Sequence, residues 1–130
     1  MTVPFWCLLA AMLIPIVLSG VGGYFKSKQF GVLDNHNPRD QGAQLEGAGA
    51  RTWAAQQNAW EALAIFTGAV VVAHLAGADP GASATAALVF VASRVLHAVF
   101  YITDLPPLRS TAFLVGLGCS LWLVGLAARA

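Results

Sequence analysis

The chain has 130 residues, 58% of them hydrophobic and only 10% charged, with a formal net charge of +1. A soluble domain of this length carries about 25% charged residues, so this composition cannot cover a surface that faces water. The near-neutral balance also excludes a nucleic-acid-binding patch and an acidic tail, and the chain reads as one membrane domain over residues 1–130.

The first apolar stretch covers residues 3–24. It has no basic region ahead of it and no small-residue cleavage site, so it is read as a membrane span rather than a signal peptide. A link over residues 25–50 follows, rich in Gly, Asn, Asp and Gln, with the turn signal Asn37-Pro38. Loops of that length are functional or mobile. The second span begins polar at Arg51 and is apolar over residues 62–78; the third covers 82–102 and the fourth 108–128. A spanning helix needs roughly 20 residues. No strand alternation is present, and lipid admits only helices or closed barrels. The expectation is an all-α membrane protein, a four-transmembrane-helix bundle. Cys7 and Cys119 both fall inside spans and imply no disulfide framework.

Lys26, Lys28, Arg39 and Arg51 cluster around the first link, and Arg109 follows the third. With four spans these links share one side. The excess of Lys and Arg makes that side cytoplasmic and places both termini outside it, in a multi-pass protein of a cell inner membrane.

The stretch "FVASRVLHAVFYITDLPPLRS", residues 90–110, places an arginine inside an apolar run. Counting from Arg51 at 1.5 Å per residue, Asn58 lies about 10 Å and Glu61 about 15 Å along the second span. Counting back from Asp104, Tyr101, His97 and Arg94 lie about 5, 10 and 15 Å deep. At roughly 100° per residue, Arg51, Asn58 and Glu61 share one helical face, as do Arg94, His97, Tyr101 and Asp104. Glu61 and Arg94 fall at matching depth and are expected to pair, directly or through water. A purely structural reading makes them a buried ion pair that fixes helix register, with Asn58 and His97 as interhelical hydrogen bonds. Seven polar groups converging on half a membrane go beyond that, because intramembrane charges are costly and mark sites. A pocket open to the cytoplasm is the expectation. His74, near the opposite interface, reads as structural.

No metal site is expected: His36, His74 and His97 occupy different depths, and no Cys or His pair has ligand spacing. The pocket offers several cations, one buried carboxylate, an amide and a phenol. Arginines clamp carboxylates bidentately, and Glu61 suits an ammonium. A small molecule with carboxylates and an amine is the complement, and glutathione fits. A guanidinium nearby would favour its thiolate, the reactive form of a thiol that ionises near pH 8.5.

These residues resemble a known family. The run from Arg51 through Asn58 to Glu61, the set Arg94, His97 and Tyr101, the pair Arg109-Ser110, and Asn37-Pro38-Arg39-Asp40 together are similar to the MAPEG family, membrane-associated proteins in eicosanoid and glutathione metabolism, in a bacterial-type form. The resemblance spans nearly the whole chain. It implies a homotrimer of four-helix subunits with glutathione as co-substrate in clefts between neighbours. Arg51, Asn58, Glu61, His97 and Tyr101 would hold glutathione, with Arg94 supporting the site from its deepest point. Arg109 would stabilise the thiolate, and Tyr101 is the next candidate for that task. Partners would be the lipid bilayer and a hydrophobic small-molecule substrate. Many members that use glutathione carry a second arginine one turn after the first, and here that position is Ala54. The implied activity is that of a transferase or peroxidase on hydrophobic electrophiles. A non-catalytic binding or scaffold protein with a degenerate site is the other reading. A small multidrug exporter would carry a carboxylate in its first span, and none is there.

The topology is directly testable. A phosphatase fused at Ala130 should be active and a fluorescent-protein fusion there dark; a bright fusion would reverse the orientation.

Overall fold

The structure, a computed structural model, describes residues 1–130. Four long helices are α1 (Val3–Phe30), α3 (Gly47–Leu75), α4 (Pro80–Ile102) and α5 (Pro106–Ala127), with a short α2 (Pro38–Ala43) between the first two. All four long helices have the length and apolar composition to cross a membrane. They pack as a bundle in which α1 lies along α3, α4 lies along α5, and α3 touches both α4 and α5. The outer surface is apolar, with Leu13, Val17, Ile65, Leu88 and Leu121 exposed. Such a surface belongs in lipid, and the protein is an integral, multi-pass membrane protein.

Small residues allow the helices to approach. On α1 the buried positions are Cys7, Ala11, Pro15, Leu18 and Gly22, recurring every three or four residues. Leu18 packs with Ala55 and Ala59 of α3, and Cys7 and Ala11 join the cluster of Leu63, Phe66, Ala69 and Val70. In lipid the association of helices depends on close packing of this kind, because lipid tails are as apolar as the side chains. The larger apolar core lies in the half near the termini. There Phe66 of α3 and Phe90 of α4 stack with ring centroids 3.8 Å apart, and Leu123 of α5 is fully buried. A smaller cluster of Leu18, Ala55, Ala59 and Ala98 sits beneath the polar half.

Turn chemistry sets the helix ends. Gly77, at φ 74°, makes the left-handed turn after α3. Pro80 then opens α4, and the Asp79 carboxylate accepts a hydrogen bond from Ala82 N at 2.7 Å, a standard N-cap. Between α4 and α5, Asp104 takes φ 61°, a conformation that short polar side chains tolerate, and Pro106 opens α5.

The link over residues 25–50 is not the open loop expected from its composition. α1 runs six residues past Tyr24, α3 begins four residues before Arg51, and α2 fills part of the remainder. Side chains close what is left. The Gln41 amide donates to Val32 O at 2.8 Å and accepts from Asp34 N at 3.1 Å. Gln29 donates to Gln44 O and accepts from Glu46 N, both at 3.0 Å. Backbone N–H groups of Asn37 and His36 donate to Asp34 and hold its carboxyl below the usual range. Gly42 lies against Trp53 so closely that a Cβ would stand 2.8 Å from the indole.

One close approach positions the polar half. Gly116 of α5 packs on α4 where a Cβ would stand 2.9 Å from Ser93 Oγ and 3.3 Å from Arg94 Cδ. Gly116→Val should therefore destabilise the bundle by about 1–3 kcal/mol, the usual cost of overpacking. Thermal unfolding in detergent checks this, and an unchanged midpoint would mean that the contact is slack.

Candidate functional site

Arg94 is 3% exposed, buried by α3 and α5 as well as by its own helix. Such a group must find acceptors inside the bundle. Its Nη2 donates to Asn58 Oδ1 at 2.6 Å, across the α3–α4 contact. The same nitrogen lies 3.2 Å from His97 Nδ1, one turn on. Arginine has no acceptor, so His97 Nδ1 accepts here and any ring proton sits on Nε2.

The expected direct pair between Arg94 and Glu61 is not formed: no arginine–glutamate contact lies within 4.0 Å, and the ion pair present is Arg51 with Asp104 at 3.8 Å. Asn58 stands between them, donating from its amide to Glu61 Oε2 at 3.4 Å while accepting from Arg94. The physical reason is reach. Asn58 and Glu61 are one turn apart, about 4.5 Å along the axis, which is shorter than an arginine side chain. Depth alone does not choose between them. The guanidinium takes the amide, and the Glu61 carboxylate is left exposed on the outside of the bundle.

A cleft of about 680 Å³ opens over this network. Asn58 and Glu61 of α3, His97 and Tyr101 of α4, and Arg109 of α5 line it. Phe113 and Leu114 of α5 give it an apolar wall, and Trp53 and Ala54 close it toward the start of α3. Its aromatic and cationic groups form a ladder. The Arg109 guanidinium carbon sits 4.6 Å from the Tyr101 ring centroid, within the range of a cation–π contact. Tyr101 meets His97 edge-on at 5.5 Å, and His97 touches Phe113 at 6.3 Å. Contacts thus run unbroken from Arg109 near the start of α5 to Glu61 in the middle of α3.

Two of the seven expected residues stand outside this cleft. Arg94 lies behind it and reaches it through Asn58 and His97, while also lining a narrower crevice with Glu61, Phe90 and Ser120. Arg51 ties helix ends together: its Nε donates to Ile102 O at 3.1 Å, and its Nη1 faces Asp104. Gln57 and Phe113 line the cleft without having been singled out in the sequence. Gln57 falls on the polar start of α3, so helical spacing from Ala54 and Glu61 could have found it. Phe113 has no signal apart from its place one turn after Arg109. His74, at the other end, meets Phe5 edge-on at 5.0 Å. No group of three or more His, Cys, Asp or Glu residues has metal-binding geometry.

The sequence profile of the MAPEG family matches residues 3–129. The chain belongs to the MAPEG family. MAPEG is a family of glutathione-related membrane enzymes. No curated protein matches the chain significantly.

The arrangement makes a quantitative expectation. In double-mutant cycles, the coupling between Arg94→Ala and Asn58→Ala should be of order 0.5–3 kcal/mol, as for residues in contact. It should exceed the coupling between Arg94→Ala and Glu61→Ala. The reverse order, measured by unfolding in detergent, would restore the direct ion pair.

Proposed function

We propose that this MAPEG protein is a glutathione-dependent transferase or peroxidase acting on hydrophobic electrophiles dissolved in the bilayer. The observation that carries the reading is the cleft itself. It brings Asn58, Glu61, His97, Tyr101 and Arg109 onto one surface beside an apolar wall of Phe113 and Leu114. A peptide with two carboxylates and an amine finds complementary charge there. Glu61, which Arg94 does not neutralise, receives the ammonium, and cationic and amide groups receive the carboxylates. Arg51, at the same end of α3, contributes charge at the rim.

Arg109 is the catalytic cation. Held against Tyr101, it presents positive charge where a thiol would lie and favours the thiolate. The thiolate attacks the electrophilic carbon and the leaving group departs with the bond pair. With a peroxide it attacks the terminal oxygen, the O–O bond breaks and the alkoxide leaves with the bond pair and takes up a proton; a second thiol then displaces water from the sulfenic acid and forms the disulfide. Tyr101, the next residue on the ladder, is the alternative donor to the sulfur. Ala54 lines the cleft where many relatives carry a second arginine, so affinity for glutathione is expected to be modest.

The exposed Glu61 carboxylate supports assembly with further copies of the chain, and the family resemblance makes that assembly a homotrimer. A charge this far along a spanning helix is costly against lipid, and a neighbouring copy laid over the cleft would cover it. The distribution of Lys and Arg supports a cleft that opens to the cytoplasm, with both termini on the other side. The second reading, a non-catalytic binding protein with this fold, draws on the same Ala54.

Calorimetry of glutathione binding to the purified protein separates the two readings, and silence at millimolar ligand favours the second. If conjugation to a model electrophile is measurable, Arg109→Ala should lower turnover at saturating glutathione by roughly 10²-fold, the scale of losing one preorganised donor to a developing charge. Glu61→Gln should mainly raise KM for glutathione. An unaltered turnover in Arg109→Ala would move the thiolate role to Tyr101.

A further inference from the structure

The crevice behind the cleft meets a donor that the bundle does not use. It lies between α3, α4 and α5, has a volume of about 120 Å³, and shares Asn58, Glu61 and Phe113 with the cleft. Arg94 borders it as well. A guanidinium has five N–H donors and no acceptor. Nη2 of Arg94 is engaged by Asn58 Oδ1 and His97 Nδ1. Nε is sealed within the bundle without a partner. Nη1 makes no hydrogen bond either, yet it is not sealed. The residue is 3% exposed, so the surface that Nη1 keeps faces the crevice rather than open solvent.

The surroundings select what Nη1 meets. Glu61 also lines the crevice, so a ligand carboxylate there would be repelled, whereas a neutral oxygen accepts from Nη1 without that cost. Ala62, Ile65, Phe90 and Leu117 make an apolar wall, and a water molecule alone would leave it facing a void. The volume is close to the roughly 150 Å³ that holds a benzene ring in an apolar cavity, so the occupant is small. Height narrows the choice further. Arg94 and Tyr101, on whose ring Arg109 rests, are seven residues apart, about 10 Å along α4. A thiolate beside Arg109 approaches carbon to about 3–3.5 Å, and a hydrogen bond to Nη1 spans about 2.9 Å. What remains suits an oxygen on the second carbon beyond the one attacked, as in a conjugated carbonyl. An oxygen bonded to the attacked carbon itself, as in an epoxide, falls short.

We propose that Arg94 is a catalytic residue for one class of electrophile: a short α,β-unsaturated ketone or aldehyde whose carbonyl oxygen accepts from Nη1 while a thiolate adds at the β-carbon. The inference rests on the glutathione-conjugating reading of the cleft. The sulfur lone pair forms the C–S bond, and the C=C pair shifts toward the carbonyl to give an enolate. Nη1 stabilises the charge that develops on the enolate oxygen. The α-carbon then takes a proton from water, which replaces the one that the thiol released. No group leaves, and no oxidant or reductant is needed.

Two measurements test this, and the first needs no glutathione. Pentan-2-one, a saturated analogue isotope-labelled at its carbonyl, is titrated into the purified full chain in detergent and followed by difference infrared spectroscopy. A saturable carbonyl band below its position in water and in detergent is expected. Ala62→Leu, which fills the crevice and leaves Arg94 in place, should abolish it. A band that never saturates and stays at the detergent position would overturn the proposal, whatever the protein does with glutathione. The second measurement compares pent-3-en-2-one with 1-iodobutane, which has no acceptor oxygen, as substrates with glutathione. Arg94→Lys keeps the charge but loses the planar fork. It should lower kcat/KM for the enone by roughly 10²-fold, the scale of one preorganised donor, and far less for the iodide, whose turnover also reports that the variant is folded. Equal losses on both substrates would make Arg94 structural and overturn its catalytic role. Conjugation of neither substrate by the unaltered protein would overturn the transferase reading and Arg94's catalytic role with it, while the ketone band would still decide the contact.

Discussion

The hydrogen bond from Arg94 to Asn58 is the contact around which the polar half of the molecule is arranged. A guanidinium carries five donors and no acceptor, and in a spanning bundle water is not at hand to supply them. Burying it at 3% exposure requires that another helix bring an acceptor to it. Asn58 does so at 2.6 Å, and this fixes the rotation and height of α3 against α4. The third helix must then come close without displacing the arginine, which is what the missing side chain of Gly116 allows.

A neutral amide as the partner has a chemical consequence. An ion pair between Arg94 and Glu61 would consume both charges inside the protein. With Asn58 interposed, the arginine's Nη2 meets dipoles, the amide oxygen and His97 Nδ1, while its buried Nε has no partner. The carboxylate of Glu61 stays at the surface of the bundle, where a ligand or a neighbouring copy can meet it. His97 in turn is held in one orientation by Arg94 on one side and by Tyr101 on the other. Tyr101 carries Arg109 on its face. The buried arginine thus connects to the half-buried Arg109 through two aromatic rings, an order that the charges in the sequence do not reveal.

The two ends of the bundle solve different packing problems. Toward the termini, stacked aromatics and alanines make an apolar core. Toward the other end, α1 and α3 are 28 and 29 residues long. At about 1.5 Å per residue they exceed the roughly 30 Å hydrocarbon core. Their overhang is braced by α2, by Gln29 and Gln41, and by Lys26 set 5.4 Å from the Trp53 ring. Trp53 also borders the cleft, so the brace and the cleft share a wall.

The sequence by itself determined the medium, the number of spans and the faces on which the polar residues lie. Those follow from one-dimensional quantities: too few charges for water, apolar runs of spanning length, and a rotation of about 100° per residue that puts Asn58 with Glu61 and Arg94 with His97 and Tyr101. It also carried the family, because the motif residues keep their types and spacing. What it left to the tertiary structure were matters of contact. Whether Arg94 meets Asn58 or Glu61 depends on the rotation of two helices, and both choices lie within one turn and one side-chain length. The link over residues 25–50 reads as loop because its helix-breaking residues are visible, whereas the partners that order it, such as Gln41 with Val32 and Gly42 with Trp53, are distant in the chain. The placement of Arg51 on Asp104 and of Phe113 in the cleft wall arises only when helix ends and helix faces meet in three dimensions. Periodicity along a chain fixes which way a side chain points from its own helix; only packing fixes what it meets.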